Sequence, residues 1–177
     1  KNFFQGRQPH LQEMRMGNDQ WPYFVTGEYA SLSQPMPFEE TAQKPVSDFQ
    51  DNFEAETLRY EWSWNYPYAT VQAHVGNGLL RLSGQSRPGH QAGAALCLRP
   101  TTSDYCLETV VLNQNESWKG ITFYGDDQNW MALVRKGNQL AVRIRLDGKE
   151  QTLFEQRWNE PLTYLRMEIT AGTQSRF

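Results

Sequence analysis

The side chains able to do covalent chemistry are few. His10, His74 and His90 are the only histidines, and Cys97 and Cys106 the only cysteines. A serine or cysteine nucleophile needs a histidine and an acid arranged around it, and no Gly-x-Ser-x-Gly turn is present to display one. His-Glu-x-x-His is absent, and the cysteines lack the Cys-x-x-Cys spacing of a zinc site. Each reads as a small hydrophobe within a strand. Residues 89–93 match no phosphate-binding loop. Glycoside hydrolysis asks only for two carboxyls flanking one bond. The chain has 20 acidic residues, but sequence distance does not say which of them meet, so no catalytic acid or base is assigned.

Two further patterns carry binding chemistry. Asp126-Asp127, in Gly125-Asp126-Asp127-Gln128-Asn129, offers hard oxygens to a structural Ca²⁺. The same composition describes an acidic β-turn, the favoured reading, because Asp, Asn and Gly are turn residues. Asn115-Glu116-Ser117 fits a glycosylation acceptor and equally a polar turn. The aromatics are numerous, with 6 Trp, 8 Tyr and 9 Phe. Trp62, Trp64, Tyr66 and Tyr68 are spaced by two and would share one face of a strand. On a buried face they are core, the weightier reading for large apolar side chains; on an exposed face they form a platform for sugar rings.

The elements that must hold these groups are short strands. Residues 79–83, bounded by Gly78 and Gly84, form one, and 94–98 another, stopped by Pro100. Residues 105–112 are rich in the Thr and Val that strands favour. Residues 120–125 and 130–135 follow, and Lys136-Gly137-Asn138 turns the chain. Residues 139–146 alternate, with Leu140, Val142, Ile144 and Leu146 inward and Arg143 and Arg145 outward. Asp147-Gly148 is a hairpin signal, and Leu165, Met167 and Ile169 share a face further on. Strands at this spacing imply an antiparallel sandwich or barrel.

Residues before about 45 read differently. Gly17-Asn18-Asp19-Gln20 is a turn by composition, and Pro35, Pro37 and Pro45 remove backbone donors and favour extended chain. The chain starts without methionine and stops in what reads as the beginning of a strand, so it is expected to be a piece of a larger protein. Formal net charge is -3 with no Lys/Arg-rich run, which gives no electrostatic reason for a nucleic-acid partner. No apolar run is long enough to span a membrane as a helix.

Two stretches resemble glycoside hydrolase family 43. Gly6-Arg7-Gln8-Pro9-His10-Leu11-Gln12, followed by Trp21-Pro22, is similar to the closing segment of that family's five-bladed catalytic propeller. Gln20 stands where the family has Gly, and Gln8-Pro9 where many of its β-xylosidases have Glu-Thr. Asp48-Phe49-Gln50-Asp51-Asn52-Phe53, then Trp62-Ser63-Trp64-Asn65, Gly78-Leu79-Leu80-Arg81-Leu82, Leu98-Arg99-Pro100 and Tyr124-Gly125-Asp126-Asp127, resemble the concanavalin-A-like sandwich that follows the propeller in β-xylosidases and α-L-arabinofuranosidases.

The resemblance implies an all-β, jelly-roll fold. Residues 1–25 would close the catalytic propeller, 26–45 would be a linker, and 46–177 the lectin-like sandwich, incomplete at its C-terminus. It also implies an inverting parent enzyme whose acid and base lie upstream of Lys1, so that this chain alone lacks both. Arg7 matches the arginine that reaches the substrate pocket, and Trp62 and Trp64 are the candidate sugar contacts. The implied partners are the rest of the propeller and a plant oligo- or polysaccharide, in a secreted or periplasmic setting. No cofactor is implied beyond the Ca²⁺ considered above. The alternative is a non-catalytic carbohydrate-binding module.

Overall fold

The computed structural model describes residues 11–31, 33, 35 and 48–177. They belong to two compact units, divided between Phe49 and Gln50. In the first unit, β1 (Met14–Met16) pairs antiparallel with β2 (Pro22–Phe24), with Met14 opposite Phe24 and Met16 opposite Pro22. The connection is the turn expected at residues 17–20. The Gln20 amide donates to the Gly17 carbonyl at 3.0 Å, and Gln20 takes a positive φ of 64°. The Tyr23 hydroxyl braces the turn by donating to Asp19 Oδ2.

The second unit is built from strands alone among the described residues. These are β3 (Ser63–Trp64), β4 (Gln72–Gly76), β5 (Leu79–Ser83), β6 (Leu96–Cys97), β7 (Tyr105–Leu112), β8 (Lys119–Tyr124), β9 (Trp130–Lys136), β10 (Gln139–Leu146), β11 (Lys149–Arg157), β12 (Leu162–Thr170) and β13 (Gln174–Arg176). One sheet runs β11-β10-β9-β8 and another β13-β12-β7, while β4-β5 and β3-β6 form two-stranded ribbons. Every pairing is antiparallel. Hairpin chemistry explains the tight connections. Asn77-Gly78 and Asp147-Gly148 both take positive φ at their two residues, as the turn that matches strand twist requires.

The core lies between the two larger sheets. Val111 of β7 and Leu165, Met167 and Ile169 of β12 pack with Ile121, Leu133 and Leu140 from β8, β9 and β10. The strand β12 carries the plainest signature, its alternate residues Thr163, Leu165, Met167 and Ile169 all buried.

Several sequence expectations need correction. Along β10, Leu140 is buried and Val142 and Ile144 are half-buried, but Leu146 is exposed. Arg145, expected outward in solvent, is buried: it does leave the core face, but residues 91 and 127 close over it. The strand expected at 94–98 is only Leu96–Cys97. Of the two cysteines, Cys97 is half-buried, with its thiol pushed up by burial, whereas Cys106 is exposed on the outer side of β7.

Candidate functional site

The aromatic ladder does not form one face. Strand β3 holds only Ser63–Trp64, and the chain turns at once, with the Tyr68 and Ala69 amides both donating to the Asn65 carbonyl. Asn65 is the reason. Its side chain is buried, donating to the Gly93 carbonyl at 2.8 Å and accepting from the Ala95 amide at 3.0 Å. It also reaches the Tyr124 hydroxyl, whose pKa burial pushes up to about 12. A residue turned inward sends its two neighbours outward. Trp64 is accordingly 54% exposed and Tyr66 63%.

Trp62 and Tyr68 are structural. The Trp62 indole Nε1 donates to Asp51 Oδ2 at 2.8 Å, and its ring stacks on Phe53 at 6.0 Å between centroids. Tyr68 meets the His90 ring edge-on at 5.2 Å. Of the two candidate sugar contacts, Trp64 presents its ring to solvent and Trp62 is committed to packing. Arg7 lies outside the described residues.

Arg87 is the residue that sequence reasoning missed at this surface. Its Nε donates to the Tyr66 carbonyl at 2.7 Å, and its guanidinium carbon sits 5.4 Å from the Tyr66 ring centroid. The loop carrying it is pinned from below by Asp127, which is 2% exposed. One carboxylate oxygen of Asp127 accepts from the Gln91 and Ala92 amides at 3.1 and 2.6 Å. The other meets His90 Nδ1 at 3.2 Å and the Gln128 side-chain amide at 2.8 Å. Burial pushes this carboxyl up, but the Gln91 amide, the His90 ring and the Ala92 amide together hold it below its ordinary value. Arg145 completes the cluster, donating to Gln91 Oε1 and to Glu150, with its guanidinium 5.9 Å from the Trp130 ring centroid.

The acidic pair at 126–127 therefore does not fit a calcium ion. Asp126 Oδ1 accepts from the Gln128 amide and the Asn129 side chain, closing the β8–β9 turn, while Asp127 faces N–H donors on a different loop. The two carboxylates do not converge. Among the described residues no group of three or more His, Cys, Asp or Glu side chains is placed to hold a metal. Asn115 likewise sits in a polar turn, its Oδ1 accepting from the Ser117 amide and from Lys119.

Several of the described carboxyls are paired with arginines. Glu61 pairs with Arg59, Glu150 with Arg143 and Arg145, and Glu108 and Glu168 with Arg166. Each described carboxyl with a displaced pKa, namely Asp19, Glu61 and Asp127, is displaced downward.

A family model described as the beta-xylosidase C-terminal concanavalin A-like domain matches residues 50–177. No curated protein matches. The crystal structure of the GH43 BlXynB protein from Bacillus licheniformis superposes with a TM-score of 0.62 at 18% identity, over 90% of this chain and 33% of that one. The chain thus spans about a third of that protein's length, and at this identity the likeness bears on the fold alone.

Proposed function

Since the chain belongs to the family of β-xylosidase C-terminal concanavalin A-like domains, we propose that it is the accessory sandwich of a glycoside hydrolase that cleaves xylosidic or arabinofuranosidic bonds of plant polysaccharides. In this reading residues 1–25 close the catalytic propeller, 26–45 link it to the sandwich, and 46–177 pack against it. Arg7 reaches the substrate pocket, where a guanidinium's fixed donors suit sugar hydroxyls. The acid and base belong to the propeller, set far enough apart to admit a water and invert the anomeric centre. A secreted or periplasmic setting suits a polymeric substrate.

The observation that carries the reading is the family match over residues 50–177. The test is turnover. The 177-residue chain, assayed on aryl β-xylosides and aryl α-L-arabinofuranosides, is expected to release no aglycone. A rate that disappears on substituting one of its own carboxyls would overturn the assignment.

A second reading is favoured by the exposure of Trp64 and Tyr66. Exposed aromatic rings give stacking planes for pyranoses, and in this reading the sandwich also acts as a carbohydrate-binding module. Binding to xylo-oligosaccharides in the micromolar to millimolar range is then expected by calorimetry.

A further inference from the structure

The loop formed by residues 85–93 brings a cation to the aromatic surface and holds it still. The Arg87 amide donates to the Tyr68 carbonyl at 2.8 Å, and its carbonyl accepts from the His90 amide at 3.0 Å. Ser86 bridges to Ala69, and the Ser86 hydroxyl donates to the Ala92 carbonyl at 2.8 Å. At the far side of the loop, Asp127 fixes the amides of Gln91 and Ala92. The guanidinium itself is tied by Nε to the Tyr66 carbonyl and rests over the Tyr66 ring.

What remains of Arg87 is its outer edge. Nη1 and Nη2 have no acceptor among the described residues, and no described carboxylate pairs with this exposed side chain, unlike Arg59, Arg143, Arg145 and Arg166. That edge is a fork of parallel N–H donors matched to the two oxygens of a carboxylate. Next to it is the exposed Tyr66 ring, and Trp64, two positions earlier in the chain, exposes a second flat ring suited to the face of a pyranose. A ligand that uses both features carries a carboxylate on a sugar ring. A simple anion would leave the rings unused, and a neutral sugar would leave the fork unused.

We propose that Trp64, Tyr66 and Arg87 form a subsite for a uronic acid residue, with Arg87 receiving the carboxylate and the aromatic rings receiving the sugar face. This rests on the reading of the sandwich as a carbohydrate-binding surface and names the sugar class it selects. Arg87 then acts as the specificity residue, and Asp127, through the loop, as its positioning residue.

The test is calorimetric titration of the 177-residue chain with three probes: xylotetraose, xylotetraose bearing one glucuronate branch, and tetragalacturonate. At low salt at least one acidic probe is expected to bind about tenfold tighter than xylotetraose, the scale of one partly exposed charge-assisted fork. Whichever acidic probe gains tells a branch uronate from a main-chain one. Arg87→Gln should erase the advantage, lowering affinity for the favoured acidic probe about tenfold more than for xylotetraose, and Arg87→Lys, which keeps the charge but loses the fork, should fall between. Equal affinity for charged and neutral probes, or an advantage that survives Arg87→Gln, overturns the subsite but leaves the binding-module reading standing. No binding of any probe overturns both, and leaves the accessory-domain reading to its turnover assay.

Discussion

Asp127 and Arg135 are both buried charges in the sandwich, and they are accommodated in opposite ways. Asp127, after the end of β8, is met by two backbone amides, a histidine ring and a side-chain amide. Arg135, in β9, is 0% exposed, yet it donates only to neutral oxygens: the Gly137 carbonyl, the Thr163 hydroxyl and the Trp158 carbonyl. No described carboxylate pairs with it. The indole Nε1 of Trp158, whose carbonyl it reaches, is buried without an acceptor. The anion gathers a loop around itself, whereas the cation fills a gap between sheets. Surrounding a charge with donors that have no other partner makes it indispensable to them; lending a charge to already serviceable carbonyls does not.

Substitutions should separate the two. Asp127→Ala strands the buried Ala92 amide, frees the part-buried Gln91 amide, and should cost about 3 kcal/mol in urea unfolding, the largest effect expected here. Arg135→Met removes a desolvated cation along with its hydrogen bonds, and these changes partly offset. Its expected cost is about 1 kcal/mol. A cost for Arg135→Met equal to that for Asp127→Ala would break the contrast.

Acid sharpens the same comparison. The folded pKa of Asp127 lies below its ordinary value of 3.8. Its contribution is therefore fully present above pH 3.8 and is lost as pH falls through the lower, folded value. The stability gap between the wild-type chain and Asp127→Asn should hold steady toward neutrality and close below that point. A gap that widens on acidification would reverse the sign.

The paired tryptophans give the smaller effects. Trp62→Phe keeps the ring stack but loses the bond to Asp51, and should cost about 1 kcal/mol. Trp64→Ala should change stability by less than about 0.5 kcal/mol, because its ring is largely in solvent, and should register in sugar titration instead.

These particulars show what a one-dimensional reading reaches. The buried face of β12 and the Asp147-Gly148 hairpin were legible because period and turn chemistry are local properties. The split of the aromatic ladder was not, since it depends on Asn65 bonding Gly93 and Ala95, about thirty positions away. Arg87 carried no motif at all. Its place at the surface comes from a loop anchored by Asp127, and that pairing is invisible until the sheets assemble. The acidic pair at 126–127 was legible as a turn, but the inward role of its second member was not.

The central claim is that this sandwich serves a larger hydrolase. The most direct measurement is the intact mass of the polypeptide that carries it in its natural source. The proposed propeller ahead of the sandwich predicts more than twice the 20.6 kDa of this chain. A mass near 20.6 kDa would contradict the claim and leave a free-standing binding module.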